Sequence, residues 1–220
     1  MFTRLHLIGR GRVGGAAAAR LTSRGIELVD AGHAELELLC VPDRAISEVA
    51  ASLPVGPWIA HVSGATPLAS LAPHVRRFSL HPLQTFRQGG DATQFDGAWG
   101  AVTGDSEEAR SAGRRLADLL GLRPFILADD QRVLYHAGAV VASNYLVTLY
   151  RAAARLVEQA GAPPAALIPL MTRTIENGFD LTGPIARGDW AVVDAHLAAL
   201  GSSAPDLAPM YRALADVTRR

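Results

Sequence analysis

Lysine is absent from this chain of 220 residues: its 21 basic side chains are all arginines, and they balance 21 acidic side chains. Without lysine, covalent catalysis through a Schiff base on a lysine amine is excluded. The formal net charge of zero gives no general positive field that would attract nucleic acid or an anionic membrane surface. We therefore expect neither as a partner.

Cysteine and long apolar runs are scarce as well. Cys40 is the only cysteine, which excludes an internal disulfide and a zinc site built on several thiolates. The histidines form no HxxxH or HExxH pattern, so no metal site is predicted. No apolar run approaches the roughly 20 residues of a membrane helix, and the first apolar segment is typical of a strand rather than a signal peptide. We expect a soluble protein of the reducing cytoplasm.

The apolar pattern divides the chain into two domains, residues 1–128 and 129–220. In the first, short apolar runs alternate with helical segments, which predicts an α/β fold with a doubly wound, mostly parallel sheet. In the second, alanine and leucine at helical spacing predict an all-helical domain. The predicted strands are 3–8, 26–29, 36–41, 58–62, 77–80, 98–102 and 125–127, and the predicted helices are 13–24, 43–53, 106–120, 130–160, a helix from 163 that Pro169 should kink, 189–200 and a last helix from 205.

The first strand leads into the glycine-rich sequence LHLIGRGRVGG, which is typical of a Rossmann-type dinucleotide-binding unit. In this pattern Gly9 permits a tight turn, Gly11 lets the backbone approach a pyrophosphate, and Gly14 allows the helix to pack on the strand. The amides at the start of the helix would bind the phosphates. A purely structural turn is the alternative. Three further loop residues are predicted cofactor contacts, although the two arginines could equally be solvated: Arg10, Arg12 and Val13.

An acidic residue about 20 positions after such a loop usually holds the adenosine ribose, and Asp30 is the candidate. The next strand begins at Leu36, so the helix and strand that a full dinucleotide fold places there are missing. We therefore predict a sheet shortened after its second strand. Such a unit could bind the cofactor weakly, bind part of it, or retain the fold without the ligand.

The carboxyl ends of the later strands carry candidate site residues, because these ends border the ligand crevice of an open α/β sheet. Val41 and Pro42 follow one strand, with Asp43 expected to cap the next helix. Ser63 and Gly64 follow another strand. Ser63 could bind a ribose or nicotinamide amide, or it could close a local turn of its own. His81, which precedes a proline, is a candidate for a substrate or acid–base role and otherwise a structural histidine.

The helical half contributes two further candidate segments. His136, Val140 and Asn144 recur every four residues and should share one helix face, as a site or as an interhelical hydrogen-bonding pair. In the loop LTGPIARGDW, Thr182 supplies polar atoms and Asp189 is expected to cap the following helix. Arg187 would pair with Asp189 or bind a substrate carboxylate.

Together the segments GRGRVGG, CVPDRAI, HVSGA, SLHPLQTF, YHAGAVVASNYL and LTGPIARGD resemble a family of candidate oxidoreductases. Its members have a Rossmann-like N-terminal domain and a helical C-terminal domain of unknown function. The family belongs to the phosphogluconate-dehydrogenase-like superfamily, with ketopantoate reductase and pyrroline-carboxylate reductase as relatives. The resemblance implies a nicotinamide cofactor, NADP or NAD, in a cleft between the domains, and a homodimer built on the helical domain.

Related enzymes carry a lysine and an asparagine four residues apart on the first long helix of the second domain. Here the asparagine corresponds to Asn144 but Val140 replaces the lysine, so His136 or His81 would have to supply the proton. The expected activity is NAD(P)-dependent reduction of a small carbonyl or imine acid by hydride transfer, with Asn144 orienting the substrate. A non-enzymatic dimeric binding or regulatory protein that has lost part of the adenosine pocket is the alternative.

Overall fold

The computed structural model describes residues 2–89 and 91–219. The chain forms two compact units, Met1–Ser143 and Asn144–Arg220. The first unit contains the entire sheet. The boundary between the compact units falls inside the long helix that follows the sheet, 15 residues after the position suggested by the change in sequence character at residue 128.

The first unit is built on a seven-stranded sheet. The strands are β1 (Arg4–Ile8), β2 (Glu27–Leu28), β3 (Leu36–Leu39), β4 (Trp58–His61), β5 (Arg77–Leu83), β6 (Trp99–Thr103) and β7 (Arg123–Ile126). Their order in the sheet is β2-β1-β3-β4-β5-β6-β7. Every neighbouring pair is parallel except β5 and β6, which are antiparallel. This confirms the predicted mostly parallel sheet.

Apolar residues cover both faces of the sheet because side chains alternate along each strand. On β4, Trp58 and Ala60 belong to the larger core, whereas Ile59 belongs to the smaller core on the other face. The helices of this unit are α1 (Arg12–Ser23), α2 (Ile46–Ser52), α3 (Glu107–Leu120) and α4 (Arg132–Val140). Helices α1 and α3 contribute to the larger core, and α2 contributes to the smaller one.

The predicted shortening after the second strand is confirmed. Strand β2 has only two residues and lies at the sheet edge, beside β1. The chain then passes through residues 29–35, without a helix or strand, to reach β3 on the other side of β1. Among the described residues, no further strand pairs with β2 on its outer side.

Strand β5 extends past the predicted end at Leu80. It continues to Leu83 and pairs with β6 through Pro82. The neighbouring strand β4 ends opposite Ser79, so Pro82 lies where β5 has one strand neighbour only, and its missing N–H removes no hydrogen bond to β4.

The long helix predicted for 130–160 is interrupted. Between α4 and α5 (Leu146–Gln159) the stretch Val141–Tyr145 is a π-helix. A π-helix hydrogen-bonds from i to i+5, so its turn is wider than that of an α-helix. The interruption begins after Val140, so the shared face of His136, Val140 and Asn144 stays a prediction.

The second unit is all-helical, as predicted. It contains α5, α6 (Leu167–Glu176), α7 (Trp190–Ser203) and α8 (Ala208–Thr218). Pro169 lies in the first turn of α6, where an N–H has no partner within the helix, so the expected kink is absent. Within the part of the chain that the structure describes, no helix is long and apolar enough to cross a membrane.

Two of the predicted helix caps are wrong. Asp189 occupies the position before α7, but its side chain makes no capping hydrogen bond there. Asp43 lies in a short 3-10 helix, Asp43–Ala45, that leads into α2. Its carboxylate accepts a hydrogen bond from the Ser63 hydroxyl instead (2.8 Å).

Candidate functional site

The glycine loop has the geometry of a dinucleotide-binding turn. Gly9 has φ +94°, and a Cβ atom there would lie 2.5 Å from the carbonyl oxygen of Cys40. A Cβ atom on Gly14 would overlap the carbonyl oxygen of Gly9, so helix α1 packs directly on the end of β1. A Cβ atom on Gly11 would meet no atom within 4 Å. Gly11 is the exposed N-cap residue of α1, without a side-chain cap, so the residues present fit a pyrophosphate.

The other predicted contacts of an adenosine diphosphate lie around this loop. Arg10 and Arg12 are exposed, and Val13 is half-buried. Asp30 is exposed two residues beyond β2. Because β2 runs parallel to β1, Asp30 is at the same edge of the sheet as the glycine loop. The contacts of these four residues with a cofactor stay predictions.

The strand register places the later candidates along this same edge. Ile8, Leu39, His61 and Ser79 are aligned across β1, β3, β4 and β5. Two residues beyond this row come Arg10, Val41, Ser63 and His81. Val41 is half-buried and Pro42 is exposed.

Ser63 closes a local turn, which was one of its two interpretations. Its hydroxyl oxygen accepts the backbone N–H of Thr66 (3.0 Å) and donates to Asp43 (2.8 Å). The side chain of His61 accepts the backbone N–H of Ser63 through Nδ1 (3.2 Å). Ser63 is only 8% exposed, and most of its hydrogen-bonding capacity is already used within the protein.

His81 and His136, which lie 55 positions apart in the sequence, are brought together in the first unit. Their ring centroids are 5.9 Å apart. A Cβ atom on Gly64 would lie 2.5 Å from Cδ2 of His136 and 3.0 Å from Nε2 of His81, so only glycine fits beneath the two rings. Tyr135, a residue that the sequence did not single out, places its hydroxyl 2.8 Å from Nδ1 of His81.

Burial keeps His61, His81 and Tyr135 uncharged near neutral pH. It lowers the pKa of His81 to about 4, and the nearby His136 and Arg132 act in the same direction. Burial also lowers the pKa of His61 to about 3, and Arg132 and His81 act in the same direction. It raises the pKa of the Tyr135 hydroxyl to about 12. The site therefore contains neutral imidazoles and a protonated phenol.

Arg132 is the buried cation next to this cluster, and its side chain is fully enclosed. It donates from Nη1 to the Thr103 hydroxyl (2.9 Å) and from Nη2 to the carbonyl oxygen of Ser63. Its Nε is 3.9 Å from Asp129, which in turn accepts the backbone N–H of Leu68 (3.0 Å). These bonds fix the start of α4 against the ends of β4 and β6.

The sequence missed both Tyr135 and Arg132, although signals were present. Arg132 follows Asp129 by three residues at a helix start, a spacing that favours an ion pair. Tyr135 is the first residue of the segment YHAGAVVASNYL and directly precedes His136. No signal in the sequence indicated that β5 would supply the partner histidine.

The remaining predicted residues belong to the second unit. Asn144 is exposed in the π-helical stretch. Thr182 and Arg187 are exposed, and Arg187 donates from Nη1 to the carbonyl oxygen of Thr182. Since Arg187 forms no salt bridge within the described residues, the suggested ion pair with Asp189 is wrong. Among those same residues there is no group of three or more His, Cys, Asp or Glu side chains that could hold a metal ion.

Comparison with known proteins identifies the family. Residues 98–218, more than half of the chain, match the family described as a domain of unknown function, DUF2520. The chain belongs to the DUF2520 family. This confirms the predicted family with a helical domain of unknown function. A sequence comparison with curated proteins found no match.

Several solved structures share the architecture of this DUF2520 protein. A candidate NADP oxidoreductase, BF3122 from Bacteroides fragilis, is similar with a TM-score of 0.82 and 22% identity over 99% of this chain and 98% of that one. Protein TM1727 from Thermotoga maritima is similar with a TM-score of 0.70 and 24% identity over 98% of this chain and 92% of that one. The reductive aminase from Aspergillus terreus in complex with NADPH and ethyl levulinate is similar with a TM-score of 0.68 and 17% identity over 100% of this chain and 94% of that one. At these identities the similarity establishes the fold, a Rossmann-like sheet followed by helices.

Proposed function

We propose that this DUF2520 protein is an NAD(P)-dependent oxidoreductase that reduces a small carbonyl or imine acid. The observation that carries the proposal is a single sheet edge with two features. At one end of this edge the glycine loop leaves space for a pyrophosphate at Gly11. Further along it, His81 and His136 meet above Gly64. A nicotinamide cofactor, when bound, would supply the hydride.

Proteins of the same fold support a nicotinamide cofactor. One of the similar structures is a reductive aminase in complex with NADPH. Another is an NADH-preferring ketol-acid reductoisomerase from an uncultured archaeon, with a TM-score of 0.66 and 14% identity over 99% of this chain and 82% of that one. We transfer nicotinamide binding to this chain as part of the proposal and leave both NADP and NAD as candidates.

Each group of residues has a proposed role. The amides at the start of α1 would hold the pyrophosphate, and Asp30 would hold the adenosine ribose. His81 or His136 would protonate the substrate, and Asn144 would orient it. Thr182 and Arg187 would bind its carboxylate. The residues proposed to contact the cofactor are Gly9, Arg10, Gly11, Arg12, Val13, Gly14, Asp30, Val41, Pro42, Ser63 and Gly64.

The rival function is a non-enzymatic binding or regulatory protein. The observation that favours it is the direct connection through residues 29–35, where a full dinucleotide fold would build the far wall of the adenosine pocket. Under this alternative the glycine loop would be a structural remnant. Cofactor binding therefore separates the two functions.

We also propose a homodimer built on the helical unit. Among the described residues of this unit, only four hydrophobic side chains are buried: Val193, Leu200, Ala204 and Ala215. Burial on that scale is too small to stabilise a unit of this length in water. A second copy would cover the large apolar side chains that are exposed, among them Tyr145, Leu146, Val147, Ile168, Leu170, Ile175, Phe179 and Leu181.

Fluorescence titration of the full chain with NADH and with NADPH tests the function. We expect the wild type to bind at least one of them, and Gly11→Val to weaken that binding at least tenfold. A side chain on Gly11 meets no protein atom within 4 Å and would occupy the space for the pyrophosphate. Gly15→Ala is the matched control, because its Cβ would make only an ordinary contact, 3.7 Å from the Arg10 carbonyl oxygen. A wild type that binds neither cofactor at millimolar concentration would contradict the oxidoreductase proposal.

A further inference from the structure

Tyr135 is held between two aromatic rings in the candidate site. Phe125, on β7, packs edge-on against it with ring centroids 5.9 Å apart. His81, on β5, packs against it with centroids 5.6 Å apart. The hydroxyl of Tyr135 lies 2.8 Å from Nδ1 of His81. The phenol therefore has a fixed orientation and one defined partner.

The protonation of the two groups limits this hydrogen bond to two forms. Because burial raises the pKa of Tyr135 to about 12 and lowers that of His81 to about 4, the phenol carries its proton at neutral pH and the imidazole has only one. A neutral imidazole donates from one nitrogen and accepts at the other. In one tautomer the phenol donates to Nδ1 and the imidazole proton is on Nε2, and in the other Nδ1 donates to the phenol oxygen. The first tautomer is the one that a proton relay requires. None of the described residues forms a hydrogen bond with Nε2, so an N–H there would be available to a ligand.

We propose that Tyr135 is the proton source of the site and that His81 relays its proton to the substrate. This inference rests on the proposed function and names the donor for it. As the carbonyl oxygen of the substrate gains negative charge, it takes the proton from Nε2 of His81. Nδ1 takes the hydroxyl proton of Tyr135 in the same step. With the hydride that a bound nicotinamide would supply to the carbonyl carbon, the products are an alcohol, a neutral imidazole and a tyrosinate, which regains its proton from the solvent.

The relay explains why a tyrosine accompanies a neutral histidine. If His81 acted alone, loss of its Nε2 proton would leave an imidazolate anion. With Tyr135, the negative charge moves to the phenol oxygen. The buried guanidinium of Arg132, three residues earlier on α4, opposes the rise in the pKa of Tyr135 and would stabilise the tyrosinate. Tyr135 thus acts through His81 as a positioning and proton-supplying residue.

Charged and titratable groups surround His81 on several elements. Arg132, Tyr135 and His136 come from α4, and His61 comes from β4. Asp43, which follows β3, is the acidic group that opposes the fall in the pKa of His81. The pH dependence of His81 therefore reports the whole cluster, and the test must measure its tautomer as well.

Nitrogen NMR of the full chain labelled with ¹⁵N-histidine reads out that tautomer without any substrate. The resonances of His81 are assigned with His81→Gln. We expect the wild type to carry its proton on Nε2 from pH 6 to 8, and Tyr135→Phe to give a mixture of tautomers. The chain supplies a matched control: His196 and Tyr211 form a similar pair, with Nδ1 and the hydroxyl 2.7 Å apart, on the exposed surface. Tyr211→Phe should leave His81 unchanged.

Two results would overturn the relay. One is a wild-type His81 with its proton on Nδ1, and the other is a tautomer that Tyr135→Phe does not alter. Both can be observed whether or not a cofactor binds, so failure of the relay is distinguishable from failure of the proposed function. On a 2-oxo acid that the wild type reduces with NADPH, Tyr135→Phe should lower kcat about 100-fold with KM little changed, since positioned proton transfer contributes 10²–10⁴-fold. A wild-type kcat in this variant would also overturn the relay.

Discussion

A Cβ atom on Gly14 would overlap the carbonyl oxygen of Gly9, whereas one on the neighbouring Gly15 would lie 3.7 Å from its nearest atom. Gly14→Ala should therefore lower the free energy of unfolding by about 1–3 kcal/mol, the usual cost of overpacking. Gly15→Ala should be neutral or stabilising by up to about 1 kcal/mol, because alanine is the better helix residue. Urea unfolding of the two variants measures the contrast. Equal stability would mean that α1 does not pack on β1 as closely as described.

The geometry of the glycine loop was predictable because it depends on residues close in sequence. Gly9 and Gly14 lie within one turn and one helix start, and their lack of side chains is itself the signal. The strands were predictable for a similar reason, since apolar runs such as 36–39 are buried on both faces. The short connection from Asp30 to Leu36 could be read directly from the spacing.

The rest of the candidate site depends on contacts between distant segments. Tyr135 and His81 are 54 residues apart, and Arg132 and Ser63 are 69 apart. Spacing along one helix cannot identify such pairs, because each partner comes from a separate strand. The same limit explains the extension of β5, which depends on its pairing with β6, and the π-helix at Asn144.

The buried Arg132 provides a second prediction. Arg132→Gln removes a cation whose Nη atoms donate to Thr103 and Ser63, and it leaves those acceptors without their partner. We expect a loss of about 3 kcal/mol in the free energy of unfolding, since breaking a buried charged network is costly. Urea unfolding measures it.

A matched control for this change is Arg173→Gln. Arg173 also pairs with a carboxylate three residues away, Glu176 at 3.0 Å, but both side chains are exposed. Exposed pairs contribute about 0–1 kcal/mol, so this variant should remain within that range. Similar losses in the two variants would contradict the burial of Arg132.

The buried histidines predict a loss of stability in acid. The pKa values of His61 and His81 in the folded chain are about 3 and about 4, below the ordinary value near 6.5 that the unfolded chain has. Between these values the unfolded state binds more protons, so stability falls as the pH drops below about 6.5. The slope should approach 1.4 kcal/mol per pH unit for each histidine.

Urea unfolding at several pH values between 7 and 4.5 measures this slope. His61→Gln should reduce it by up to about 1.4 kcal/mol per pH unit, because one buried imidazole no longer has to gain a proton on unfolding. His33→Gln is the control, since His33 is exposed and in contact with water in both states. An unchanged slope in His61→Gln would show that other groups cause the acid sensitivity.

The exposed apolar residues of the helical unit predict a dimer that a single charge can disrupt. Leu170, on α6, is 63% exposed, and we expect the second copy to cover it. Leu170→Glu would place a carboxylate in that apolar contact, where its desolvation is costly, so the mass measured by light scattering should fall toward that of one chain. Val75→Glu is the control: Val75 is 80% exposed but belongs to the first unit, and this variant should remain dimeric. A monomeric wild type would contradict the dimer, and dissociation by Val75→Glu alone would place the contact on the first unit instead.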